Sequence, residues 1–268
     1  MTVVSSVDQV APDLTRLRYL FANLYLWGTS DSWVLIDAGV EGCADDIVKA
    51  AGERFGEGTP PQAIVLTHGH FDHVGAFPQL FERWDVPVYA HPLELPHLTG
   101  AADYLPPDPS VGGGAMALMS ITYPRKAIDL GPRVRPLPAD ETVPNMPGWR
   151  WVHVPGHTAG QVALFRESDR CLIAADAFVT VKQESLYAVA TQEQEVHGPP
   201  AYFTPDWAAA RASVERLAAL HPAVAATGHG TPMRGEPLTR GLEALVRDFD
   251  EVAVPDRGRY VPEGGQAD

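Results

Sequence analysis

Four potential metal ligands fall within six residues in His68-Gly69-His70-Phe71-Asp72-His73, directly after the apolar run Ala63–Leu66. This cluster constrains the fold more than any other feature. Histidine nitrogens and carboxylate oxygens must be held at about 2.0–2.2 Å from a cation such as Zn²⁺. The end of a buried strand is a rigid platform for that task, and Gly69 leaves room for sharp backbone geometry. One Zn²⁺ takes about four ligands, and a catalytic one keeps a position open for water. Four donors this close crowd a single ion, and two ions relieve the crowding. The remaining ligands must come from elsewhere. Three later stretches offer them, each after a strand-like run: Pro155-Gly156-His157-Thr158, Ala175-Asp176-Ala177-Phe178 and Gly228-His229-Gly230. Alone, a histidine between glycines is an ordinary turn residue. The shared placement after strands is what groups the three with the first cluster.

The rest of the chain reads as alternating strands and helices, the pattern of an α/β protein. Strands are expected at Thr15–Leu20, Ala22–Trp27, Ser32–Ile36, Ala63–Leu66, Val86–Ala90, Trp149–Val154, Gln161–Arg166, Arg170–Ala174 and Val224–Ala226. Helices are expected at Ala44–Phe55, stopped by Gly56 and Gly58, at Gly75–Trp84, at Asp206–Leu220 behind Pro205, and at Leu238–Phe249. Residues 99–148 break the rhythm with Pro106-Pro107-Asp108-Pro109 and Gly112-Gly113-Gly114. They read as an insertion of loops with a short helix around Ala115–Ser120, of the kind that forms lids or binding loops. With no linker dividing the chain, residues 1–268 are expected to form a single domain, with a polar, partly mobile tail over 256–268.

Composition narrows the partners. The net charge of −14 repels nucleic-acid phosphates, so phosphodiester substrates are disfavoured. The N-terminus lacks a basic segment followed by an apolar run, and no stretch is long and apolar enough to span a membrane. The two cysteines, Cys43 and Cys171, are far apart and suit small core positions in a reducing compartment. The expectation is a cytoplasmic enzyme acting on a small molecule, with no nucleic-acid or membrane partner and with a homodimer left open.

Thr67–His73, Gly156-His157-Thr158, Asp176 and Gly228-His229, with Leu35-Ile36-Asp37-Ala38-Gly39 upstream, resemble the metallo-β-lactamase-fold hydrolases. The resemblance runs from Asn23 to His229. It implies an αβ/βα four-layer sandwich: two mixed β-sheets face to face, helices outside, metals at one edge. It also implies that His68, His70 and His157 bind one metal, that Asp72, His73 and His229 bind a second, and that Asp176 bridges both. Asp37 would orient a ligand imidazole by accepting its N–H. Two departures stand out. Gln161 follows Gly160 where the family often has histidine, and Ala175 precedes Asp176 where glycine is common. The other histidines, His91, His97, His153, His197 and His221, have no place in the set.

The activity so implied is hydrolysis of a small ester, thioester or lactone by hydroxide bridging two Zn²⁺, with Fe²⁺ or Mn²⁺ as alternative metals. Asp72 would orient the nucleophile and carry a proton toward the leaving group. An iron-dependent persulfide dioxygenase, a β-lactamase and a phosphodiesterase are the alternatives within the same resemblance. Only 39 residues follow His229, too few for the glutathione-binding helical domain of larger glyoxalase II-like members. The tyrosine that family lactonases carry shortly after the bridging Asp is absent from Phe178-Val179-Thr180-Val181, and Tyr187 lies further on. No basic arm like that of the tRNA-processing endonucleases is present. The 99–148 insertion is expected to overhang the metals and select substrate.

Overall fold

The computed structural model describes residues 4–261. Residues 262–268 of the expected polar tail lie outside the described residues. Seven strands form one sheet in chain order: β1 (Val4–Ala11), β2 (Leu14–Tyr19), β3 (Ala22–Thr29), β4 (Ser32–Ile36), β5 (Ala63–Val65), β6 (Val88–Ala90) and β7 (Val134–Pro136). The first four pair antiparallel, and β4 through β7 pair parallel. The second sheet holds β8 (Trp149–His153), β9 (Val162–Arg166), β10 (Cys171–Ala175), β11 (Val224–Thr227) and β12 (Met233–Arg234), in the order β12-β11-β10-β9-β8. Its single parallel pair is β10 with β11.

The helices are α1 (Ala44–Phe55), α2 (Phe71–Val74), α3 (Phe77–Phe81), α4 (Leu95–Leu98), α5 (Ala115–Met119), α6 (Leu186–Thr191), α7 (Trp207–Ala218), α8 (Gly235–Arg247) and α9 (Phe249–Val252). None is long and apolar enough to cross a membrane.

The period of two along each strand sorts side chains into layers. In β4, Val34 and Ile36 face the space between the sheets, while Trp33 and Leu35 face outward onto Ile47, Phe55 and Phe77 of α1 and α3. In β9 and β10, Val162, Leu164, Cys171 and Ile173 point inward. Ala163, Phe165, Leu172 and Ala174 pack outward with Val214 and Leu217 of α7 and Leu242 of α8. The central strands of both sheets are therefore covered on both faces. Strands buried on two faces read as unbroken apolar runs rather than alternating ones, which is why Trp33–Ile36 and Cys171–Ala175 carry no polar residue. The result is the expected αβ/βα four-layer sandwich.

Three local readings change. Gly75–Trp84 is not one helix: α2 starts four residues earlier, inside the ligand cluster, and α3 restarts with Pro78 in its first turn. A Cβ on Gly75 would run into the Val40 and Glu41 backbone, so only glycine lets the chain pack this closely against the loop after β4. Residues 99–148 are more than loops. They supply β7 as an edge strand and bury Leu130, Val111, Met116 and Ala117 in the outer cores. The N-terminal strand β1 belongs to the first sheet and was not foreseen.

Candidate metal centre

Each candidate ligand sits just past the end of a strand. His68, His70, Asp72 and His73 follow β5, His157 follows β8, Asp176 follows β10 and His229 follows β11. All seven are buried, none more than 6 % exposed. Their donor atoms form three overlapping groups within 4.8 Å: His68, His70 and His157; Asp72, His73 and His229; and His68, His73 and Asp176. The first two are the two triads expected from the sequence, and the third links them through Asp176.

The outer nitrogens of three of the imidazoles are committed elsewhere. His73 Nδ1–H donates to Asp37 Oδ2 at 2.8 Å. His229 Nδ1–H donates to the Phe21 carbonyl at 2.8 Å. Thr67 Oγ1 spends its proton on Asp37 Oδ2, so its oxygen accepts from His68 Nδ1–H at 3.2 Å. These bonds leave the Nε2 lone pairs of His68, His73 and His229 directed at the centre, the tautomer a metal ligand needs. His70 Nδ1 and His157 Nε2 lie 2.9 Å apart, with a longer 3.4 Å contact from His157 Nδ1 to Thr204 Oγ1 behind. Asp176 Oδ2 lies 3.0 Å from His229 Nε2, 3.4 Å from His157 Nε2 and 3.8 Å from His73 Nε2. Asp72 Oδ2 is 3.6 Å from His229 Nε2.

Electrostatics favours a cation here. Burial holds His68 and His70 well below the usual imidazole range, with neighbouring imidazoles adding to it. Burial also pushes His157 down to about 4. Burial acts the same way on His73, but the Asp37, Asp72 and Asp176 carboxylates outweigh it and raise His73 well above its ordinary value. Asp176 likewise lifts His229 against burial. Burial opposes ionisation of Asp176, yet His229 and His73 hold it well below the carboxylate range. Burial raises Asp72 in spite of the same two histidines. Three polar atoms, His68 Nε2, His73 Nε2 and Asp176 Oδ1, are buried without a hydrogen-bond partner. Such atoms cost about 1–3 kcal/mol each when nothing satisfies them. Cations between the triads would satisfy all three, so the residues fit a metal pair.

The backbone explains the small residues around the ligands. A Cβ on Gly228 would overlap Asp176 Oδ1, and one on Gly156 would come within 2.5 Å of the Ala210 backbone of α7. Asp37 and Ala175 are both left-handed, with φ of 62° and 51°. Aspartate tolerates that region better than alanine, which accounts for glycine being common at the Ala175 position. Gln161 takes up a supporting place: its Oε1 accepts from Asp176 N at 3.3 Å.

Two supports went unread in the sequence. Glu94 is fully buried and bonds both ligand-bearing loops. Its Oε2 accepts from Gly69 N and Tyr104 Oη, and its Oε1 from Thr158 Oγ1 and Gly160 N. Asn23 Nδ2 donates to the Thr227 and Gly230 carbonyls, fastening the His229 loop to β3. The lone acid in Pro92-Leu93-Glu94-Leu95-Pro96 and the single Asn in β3 carry no local signal of these roles. The five remaining histidines are outside the three groups. His91 stacks on His153, His97 on Tyr104, and Tyr187 is exposed.

Above the ligands is a cavity of only about 10 Å³, walled by Phe21, Phe71, Tyr123, Tyr202 and Phe203. Two wider clefts adjoin it and share its walls, one of about 240 Å³ and one of about 580 Å³. A cleft of about 710 Å³ between α7 and α8 shares no residue with the ligands.

The metallo-beta-lactamase superfamily profile matches residues 17–229. The chain is 45% identical over 247 residues to the probable metallo-hydrolase YflN of Bacillus subtilis, covering 91% of this chain and 94% of that one. It is similar at 30% identity and a TM-score of 0.58 to TTHA1623, solved in a di-iron-bound form, covering 91% of this chain and 99% of that chain. A β-lactamase domain protein from Burkholderia ambifaria shares the fold at 22% identity and a TM-score of 0.64, covering 93% of this chain and 78% of that one. The chain belongs to the metallo-β-lactamase superfamily.

Proposed function

We propose that this chain is a metal-dependent hydrolase that cleaves a small ester, thioester or lactone at a two-cation centre. The observation that carries the reading is the pair of buried donor triads joined through Asp176. His68, His70 and His157 would hold one cation, Asp72, His73 and His229 the other, with Asp176 between them. Zn²⁺ is the proposed metal, because the donor set is nitrogen-rich with hard carboxylates. Fe²⁺ and Mn²⁺ compete with it on the same donors, and the di-iron form of TTHA1623 makes iron the first alternative to assay.

A cation pair bound there supplies water acidified to a pKa near 7 and Lewis-acid polarisation of a carbonyl oxygen. The chain's own groups do the rest. Asp37, Thr67 and the Phe21 carbonyl fix the ring orientation of three histidines. Asp72, raised by burial, is placed to take up a proton at its carboxylate and return it to the leaving group. Phe21, Phe71, Tyr123 and Phe203 keep bulk water off the reacting atoms. No side-chain nucleophile is needed, and both cysteines are buried, with their thiols pushed up to about 12 by burial.

The test is elemental analysis of protein purified without added metal, coupled to a screen of esters, thioesters, lactones, β-lactams and phosphodiesters. The reading predicts two metals per chain and turnover of a carbonyl ester or thioester. Asp176→Ala and His229→Ala should each abolish that turnover, and unchanged activity in either would refute the assignment. One iron per chain with persulfide oxidation would replace the reading with a dioxygenase.

A further inference from the structure

We propose that the 580 Å³ cleft selects substrates with an elongated apolar body ending in an anionic group, received by Arg125 and Lys126. The inference rests on the hydrolase reading and adds the substrate class.

The cavity over the ligands holds about 10 Å³, so only the scissile group reaches the centre. The body of any substrate must lie in an adjoining cleft. The cleft of about 580 Å³ begins at Phe21, Phe71 and Tyr123, the same aromatics that wall the inner cavity. Its floor continues over Val74 and Ile128. Pockets of this size and apolar lining suit ligands of drug-like length. Its lining includes two adjacent cations, Arg125 and Lys126, and one acid, Glu41.

Arg125 is anchored where it stands. Its Nη1 donates to the Tyr104 carbonyl at 3.2 Å, and Tyr104 N donates to the Arg125 carbonyl at 3.0 Å. The Tyr104 ring in turn lies 4.6 Å from the His70 ring, which ties Arg125 to the ligand cluster. Arg83 and Arg133 are committed to Asp45 and Asp85, whereas no ion pair engages Arg125 or Lys126 among the described residues. On a chain of net charge −14, Arg125 and Lys126 are two cations without an ion pair, and an anion in this cleft gains their attraction. The smaller cleft of about 240 Å³ lacks a cation and faces Asp103, so it suits the uncharged part of the substrate.

A matched pair of esters tests this: 4-nitrophenyl octanoate and the mono-4-nitrophenyl ester of suberic acid, which differ only in a terminal carboxylate. With metal-loaded protein, kcat/KM should favour the suberate ester. In R125A/K126A that preference should fall about tenfold, mainly through KM, the scale of two exposed charge contacts. The preference should also shrink as ionic strength rises. Calorimetric titration with the inert monoanilide of suberic acid gives a readout independent of turnover. Binding to wild type and loss of binding in R125A/K126A support the cleft assignment even if neither ester is cleaved, a result that would sink only the hydrolase reading. Turnover of both esters with equal KM in wild type and variant would overturn the cleft assignment and leave the hydrolase reading standing.

Discussion

Gly228→Ala isolates the metal centre from the fold. Gly228 precedes His229 at the end of β11 and has ordinary right-handed or extended backbone, so alanine fits its φ. The added methyl overlaps Asp176 Oδ1 and comes to 3.0 Å from His73 Cε1. The backbone has no slack to relieve this. Gly228 N donates to the Ala175 carbonyl at 2.8 Å, and its own carbonyl accepts from Asn23 N at 2.8 Å. Relief must come from the Asp176 carboxylate, which has to move by roughly 1 Å, several times the about 0.2 Å tolerance of a coordination bond. Swinging one short side chain off its rotamer costs about 1 kcal/mol. The metal-free protein should therefore stay folded, with its melting temperature within about 4 °C of wild type. Metal binding should suffer far more. Loss of supporting partners alone costs ten- to a hundredfold in affinity, and displacing the shared carboxylate should cost at least about a hundredfold, or roughly 2.7 kcal/mol. Dialysis against graded chelator, followed by elemental analysis, measures this directly. A variant that keeps both metals at wild-type affinity would refute the placement of Asp176 between the triads.

Other expected outcomes follow from single observations. Ala175→Gly should stabilise the protein by about 0.5–1 kcal/mol, because φ of 51° strains alanine by more than glycine adds in chain entropy; chemical denaturation reads it. Glu94→Ala strips acceptors from Gly69 N, Gly160 N, Thr158 Oγ1 and Tyr104 Oη, and should cost about 3 kcal/mol or more in the same assay. His91 is pushed down to about 4 by burial and by charge repulsion from His153, on which it stacks. Its folded pKa lies below the unfolded value, so its contribution is intact above about pH 6.5 and is lost as pH falls toward 4. Proton NMR titration should show His91 near 4, and an ordinary imidazole value in the folded protein would contradict that packing.

β5 and β10, which carry candidate ligands, were legible because both are buried on two faces, and apolar runs such as Ala63–Leu66 and Cys171–Ala174 read directly as strands. The candidate ligands themselves stood out through four donors in one stretch. What stayed hidden depends on tertiary contact. β7 lies in a Pro-rich segment and exists because β6 offers an edge to pair with. The need for Gly75 comes from the Val40 backbone, which is thirty-five residues away in sequence. Glu94 bonds Thr158, sixty-four residues away in sequence, a role no local pattern could announce. The 99–148 insertion also supplies β7 and core residues, so deleting it would damage the first sheet.

Anomalous diffraction from crystals of the protein with its native metal tests the central claim most directly. Two peaks about 3.5–4 Å apart are predicted, one among His68, His70 and His157, the other among Asp72, His73 and His229, with Asp176 reaching both. A single peak, or density showing His157 or His229 turned away from the His68–His73 cluster, would contradict it.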